Sequence, residues 1–157
     1  MKKTKTNALR LLDQQGIAYQ TLAYDGQHGQ ISGEEIARQN HLEAGKVYKT
    51  LVCTEGRECY VALIPVNEQL DLKKFAKAIG IKHLEMLPLK MLLEKTGYLH
   101  GGCSPIGMKK QFRTCVDASM LMHERVYISA GKIGLQVELG VQDLIQCIHA
   151  TAGDLVV

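Results

Sequence analysis

The sequence has no CxxC pair, no apolar run approaching the ~18 residues of a membrane span, and no stretch dominated by proline, serine, glutamine or charge of one sign. Each absence removes a class. Without compositional bias the chain is expected to fold throughout rather than remain disordered. Its five cysteines, Cys53, Cys59, Cys103, Cys115 and Cys147, are odd in number and widely spaced, which argues against a disulfide framework and for a reducing compartment. The first residues, Met1 to Gly16, are basic in part but carry neither the apolar segment nor the small-residue cleavage site of a secretory signal. A soluble cytoplasmic protein with no membrane association is expected.

Several catalytic signatures are also missing. Ala130-Gly131-Lys132 lacks the earlier glycine of a GxxxxGK[ST] phosphate loop, which sets aside ATP-driven chemistry of that type. His123 and Glu124 are followed by Arg125, Val126 and Tyr127, so there is no HExxH helix. His100 and Cys103 have a workable metal-ligand spacing but no second pair to complete a zinc shell, so neither a metal nor another cofactor is expected. No GxSxG elbow surrounds Ser104.

What is present is a chain of 157 residues, 46% hydrophobic, long enough for one substantial core and short for two. One domain over 1–157 is expected. The net charge of +3 is mild, with basic residues gathered as Lys2, Lys3 and Lys5, as Lys73, Lys74 and Lys77, and as Lys109, Lys110 and Arg113. That distribution suits a phosphate backbone and equally suits solvated faces.

Ala8, Leu11 and Leu12 after the capping residue Thr6 predict a short amphipathic helix closed by Gly16, and a strand follows at 18–23. Ser32 and Glu35 have capping-box spacing ahead of a helix over 33–40. Residues 50–54 and 59–65 read as a hairpin turning at Glu55-Gly56. Leu72, Phe75, Ala76 and Ile79 share one helix face ahead of Gly80, Pro88 opens a helix ending near Gly97, and Val141, Leu144, Ile145 and Ile148 repeat the helical spacing. Short strands are predicted at 114–117, 126–129 and 134–138. Without a steady βαβ rhythm, and with tight turns at Glu55-Gly56 and Gly131-Lys132, the reading is an α/β (α+β-like) fold. It has a curled, mixed, mainly antiparallel sheet or partial barrel with flanking helices.

Three features carry possible chemistry. Gly101 to Gly107, GGCSPIG, brings three glycines and a proline together beside a strand. Bare N–H groups in such a loop can hold a carbonyl oxygen as it gains negative charge, and the same glycines would serve a plain turn. Lys49 is a single cation in the apolar run VYKTLVC, able to meet a phosphate or anionic intermediate, or simply to snorkel to water. Ser129 to Gly134 is a polar glycine-rich turn that could line a pocket or only connect a hairpin. Cys103 lacks an assignable activating base, which argues against its being a nucleophile.

VYKTL at 47–51, QLDLKKFAKAIG at 69–80, TGYLHGGCSPIG at 96–107 and YISAGKIGLQVEL at 127–139 together resemble the YbaK/EbsC-type cysteinyl-tRNA(Pro) deacylases. These are kin of the insertion editing domain of bacterial prolyl-tRNA synthetases. The resemblance runs over almost the whole chain, weakest at 25–45 and after 148. It implies an editing domain that removes wrong amino acids from tRNA, with the aminoacyl-tRNA 3′ end as partner and a prolyl-tRNA synthetase as a candidate second.

The resemblance also assigns roles. Lys49 matches the family's functional lysine, Gly101, Gly102, Cys103, Ser104 and Pro105 match its GxxxP loop, Tyr24 matches a pocket tyrosine, and Ser129 and Gly131 match the polar turn that closes the site. Gln136 stands where some relatives carry Asp, and Cys103 replaces an aliphatic residue. No protein general base is evident, and the resemblance favours a cysteinyl substrate's own thiol as the nucleophile over a water activated by the enzyme, a step that could be classed as hydrolase or lyase. The alternatives are a deacylase for another small residue such as alanine, a noncatalytic tRNA- or synthetase-binding module, and an esterase acting on small esters.

Overall fold

The computed structural model describes residues 5–25 and 32–157, so Lys2 and Lys3 lie outside the described residues. The N-terminal helix α1 (Asn7–Gln14) starts where Thr6 accepts the Leu9 N–H, and it buries Ala8, Leu9 and Leu12. Strand β1 (Tyr19–Ala23) follows, then α2 (Gly33–Gln39), capped by Ser32, whose side chain accepts the Glu35 N–H at 3.1 Å.

Strands β2 (Tyr48–Glu55) and β3 (Glu58–Pro65) form the expected hairpin. Gly56 supplies the left-handed backbone of its turn at φ 59°. The long apolar run in β3 is explained by burial on both faces. Val61 and Leu63 enter the larger core with α1, and Ala62 and Ile64 enter a second core with Phe75, Ala76 and Ile79. Those last three belong to α3 (Leu72–Ile79), which Asp71 caps by accepting the N–H groups of Lys73 and Lys74 and which Gly80 ends at φ 73°.

A two-residue strand, β4 (Glu85–Met86), precedes a 3₁₀ turn at Leu89–Met91 and the short helix α4 (Leu92–Thr96). The remaining elements are β5 (Arg113–Asp117), β6 (Arg125–Lys132), β7 (Leu135–Gly140), α5 (Val141–Cys147) and β8 (Thr151–Gly153).

The strands form two sheets rather than one curled sheet, ordered β1-β7-β6 and β4-β2-β3-β5-β8, and neither is a closed barrel. A single parallel bridge, Val47 to Tyr127, links them. The three-stranded sheet is antiparallel throughout, as is the β4-β2-β3 part of the other. The β3–β5 and β5–β8 pairs are parallel, because the connection from β3 to β5 carries α3 and α4, that from β5 to β8 carries β6, β7 and α5, and each is long enough to bring the chain back in the same direction. Asp117 fastens this end of the sheet, its buried carboxylate accepting the Leu155 N–H at 3.0 Å and the Ser119 N–H at 3.2 Å. No helix among the described residues is long and apolar enough to cross a membrane.

Candidate active site

Strand β4 pairs with β2 only at Cys53 and Thr54, leaving the preceding residues of β2 without a β4 partner. There, Tyr48 to Val52 line a cavity of about 440 Å³. Its other walls are the start of α2, the apolar segment with Met86, Leu87, Leu89 and Leu92, the loop from His100 to Cys103, and Ser129 with Gln136 from the three-stranded sheet. Ser129 and Gln136 are cross-strand partners on β6 and β7. They alternate with Ile128, Ala130 and Val137, which face the larger core, so the sheet turns its other face to the cavity.

Lys49 is half-buried in this cavity. Its Nζ reaches only the Val66 carbonyl, at a long 3.5 Å, and no carboxylate among the described residues pairs with it. It is therefore a cation whose hydrogen-bonding capacity is largely available to a ligand.

The glycine loop is held from behind. Gly102 donates its N–H to the Leu99 carbonyl at 2.9 Å, and a Cβ there would stand 2.9 Å from the backbone of Lys132 and Ile133. Glycine is thus required by the approach of the β6–β7 turn. Gly101 has φ 88°, and its carbonyl accepts the Tyr24 hydroxyl at 3.4 Å. The N–H groups of Gly101 and Cys103, both cavity-lining residues, donate to no backbone carbonyl among the described residues.

Ser104 is fully buried, its Oγ accepting the Ile106 N–H at 3.2 Å, and Pro105 is buried beside it. Gly131, at φ 104°, donates to the Ser129 Oγ at 3.2 Å and packs where a Cβ would meet Tyr98 at 2.9 Å. Tyr98 itself donates to the Ile106 carbonyl at 2.5 Å, and Thr6 donates to the Ala130 carbonyl at 2.5 Å.

Of the residues singled out in the sequence, Lys49, Gly101, Cys103 and Ser129 meet in the cavity, and Tyr24 reaches it through the Gly101 carbonyl. Gly102, Ser104, Pro105 and Gly131 are outside its lining and shape the loop and turn that form the wall. Among the described residues the basic clusters do not line it either: Lys74 reaches Asp154 and the Val156 carbonyl, Lys109 the Glu94 carbonyl, and Arg113 the Ile79 carbonyl. Sequence reasoning missed Thr50 and the apolar wall from Met86 to Leu92, for which the only signals were a hydroxyl beside Lys49 and an apolar stretch around Pro88.

Burial raises the pKa of all five thiols, pushing Cys53 and Cys103 up to about 12. None is poised as a thiolate at neutral pH, so the cavity offers no protein sulfur nucleophile. Two polar atoms on its walls, Thr50 Oγ1 and Gln136 Oε1, are buried without a hydrogen-bond partner among the described residues. Among the described residues no cluster of three or more His, Cys, Asp or Glu side chains is arranged to hold a metal ion.

The model of an aminoacyl-tRNA editing domain matches residues 30–147. A relative from Enterococcus faecalis, named as a candidate Cys-tRNA(Pro)/Cys-tRNA(Cys) deacylase, EbsC, is 45% identical over 98% of this chain and 96% of its own. A proline–tRNA ligase from Citrifermentans bemidjiense is 30% identical over 59% of this chain, a match that occupies only 16% of the ligase. Among solved structures, a candidate trans-editing enzyme for prolyl tRNA synthetase superposes with a TM-score of 0.86 over 99% of both chains at 21% identity, a likeness of fold.

Proposed function

The chain belongs to the aminoacyl-tRNA editing domain family, and from that premise we propose that it deacylates mischarged tRNA in trans, with the cysteinyl ester of tRNA(Pro) as its substrate. One observation carries the mechanism. The cavity joins a lysine that has no carboxylate partner among the described residues to a glycine loop with available N–H groups, while burial holds every protein thiol protonated. An arrangement that stabilises charge without supplying a nucleophile suits a substrate that brings its own.

In this reading the N–H groups of Gly101 and Cys103 receive the carbonyl oxygen as charge develops on it, Gly102 holds them in place, and Lys49 meets the terminal nucleotide or the same developing charge. Tyr24 steadies the loop through the Gly101 carbonyl. Ser104 and Pro105 fix the loop from beneath, and Ser129 and Gly131 shape the facing turn. The cysteinyl sulfur attacks its own carbonyl carbon, a C–S bond forms as the ester C–O bond breaks, and the thiol proton passes to the ribose oxygen. The products are free tRNA and a four-membered cyclic thioester.

The requirement for a substrate thiol supplies selectivity that pocket size does not, since one methylene is worth only ~1–3 kcal/mol in an apolar pocket. Correctly charged cysteinyl-tRNA meets the same chemical requirement, and the name of the Enterococcus relative covers Cys-tRNA(Cys) as well. Recruitment by a prolyl-tRNA synthetase would confine the activity to tRNA(Pro), an arrangement paralleled by ligases that carry the matching segment within their own chain. The whole of 1–157 acts as one editing domain, in the cytoplasm, where unpaired buried thiols remain reduced.

The test is release of labelled amino acid from preformed Cys-tRNA(Pro), Ala-tRNA(Pro) and Pro-tRNA(Pro) by the wild type and Lys49→Ala. Rapid loss of cysteine alone, reduced at least ~100-fold in the variant, is expected. Loss of alanine alone would overturn the substrate, and tRNA binding without any turnover would leave a binding module.

A further inference from the structure

A buried acceptor without a partner costs free energy in the folded protein, and two such atoms on the walls of one cavity indicate where a ligand donates. Gln136 is 4% exposed, is the second residue of the central strand β7, and lines the cavity with an Oε1 that accepts no hydrogen bond among the described residues. Thr50 Oγ1, on the stretch of β2 that β4 leaves uncovered, is buried and unpartnered on the same cavity. The Ser129 hydroxyl, by contrast, already accepts the Gly131 N–H.

We propose that Gln136 and Thr50 form the subsite for the α-amino group of the substrate's aminoacyl moiety, so that they select a free amine over an N-acylated or deaminated one. The proposal rests on the deacylase reading. Within an aminoacyl ester, the amine is the strongest donor next to the reacting carbonyl. The thiol is a weak donor, and the carbonyl itself is an acceptor that Gln136 Oε1 cannot serve.

A neutral amide also fits the charge of the cavity. Lys49 already places a cation there, and the one carboxylate in the lining, Glu34, sits exposed on α2. An amide oxygen accepts from the amine whether or not it is protonated, so binding does not require a second positive charge to be fixed near Lys49.

The experiment uses two non-hydrolysable probes, adenosine joined through a 3′-amide to cysteine and the same compound carrying 3-mercaptopropanoic acid, which lacks only the amine. Calorimetry should give the wild type a ~10- to 100-fold preference for the cysteine probe. Gln136→Leu should abolish the preference and Thr50→Val should reduce it. Because Gln136→Leu removes a buried unpartnered acceptor, it should melt at or above the wild-type temperature. A glutamine with a purely structural role would instead lower the melting temperature and leave the preference intact, which overturns the proposal, as would equal binding of both probes by the wild type. Preference for the amine without any cleavage of Cys-tRNA(Pro) would sink the deacylase reading while leaving the subsite. Cleavage without the preference would do the reverse.

Discussion

Gly102→Ala isolates the packing of the glycine loop from its backbone conformation, because this glycine does not adopt a left-handed backbone and alanine meets no conformational penalty of that kind. The added methyl would stand 2.9 Å from Lys132 Cα, the Lys132 carbonyl carbon and Ile133 N, whereas ordinary contact starts at 3.4 Å. All three neighbours are backbone atoms of the β6–β7 turn, which Thr6 and Tyr98 also hold at Ala130 and Gly131, so the loop must move by about half an ångström. Overpacking of this kind costs ~1–3 kcal/mol. For a chain of this size that lowers the melting temperature by roughly 2–12 °C. Since a 1 Å misplacement costs on the order of 10²-fold in rate, half that distance should lower kcat on Cys-tRNA(Pro) about tenfold.

Gly45→Ala is the control, because a Cβ there meets nothing within 4 Å. It should leave turnover unchanged and, by restricting the unfolded chain, raise stability by up to ~1 kcal/mol. Thermal melting and single-turnover deacylation measure both effects. A Gly102→Ala protein with wild-type melting and wild-type kcat would refute the claim that the turn positions the loop.

The raised thiols predict a pH limit. With Cys53 and Cys103 shifted from 9.0 to about 12 by burial, the folded state holds protons that the unfolded chain releases. Stability from this source is complete below pH 9 and falls as pH rises from 9 to about 12. Each thiol contributes a slope of up to ~1.4 kcal/mol per pH unit, which urea titration at stepped pH would detect. A flat profile over that interval would contradict the burial. Asp117→Ala should destabilise by ~2–4 kcal/mol, since it strands the Leu155 and Ser119 N–H groups in the interior. Unchanged denaturant midpoint in that variant would show that water or rearrangement replaces both bonds.

Local chemistry was legible wherever a residue broke the pattern around it. Lys49 in an apolar strand and the glycines after His100 both mark cavity walls, and Gly80 ends α3 as its position suggests. What escaped depended on pairing. β8 has only three residues and gains its identity from lying parallel to β5. The division into two sheets turns on the link at Val47 and Tyr127 being a single bridge. Thr50 faces the cavity because β4 stops short, and nothing near Thr50 in sequence encodes the length of β4. Ser104 and Pro105 share the motif with Gly101 yet lie beneath the loop, because a motif records neighbours in sequence and not which of them a turn exposes.

Behind the glycine loop, Thr6 grips the Ala130 carbonyl, Tyr98 lies against Gly131, and Gly102 presses on Lys132 and Ile133. Three stretches distant in the sequence thus meet at one point. A chain emerging from the ribosome has no such support until residue 133 has cleared the exit tunnel, whatever its hairpin β2–β3 has already done. The cavity wall is therefore a late product of folding, and a partly made or partly opened copy carries Lys49 without the loop that faces it across the cavity.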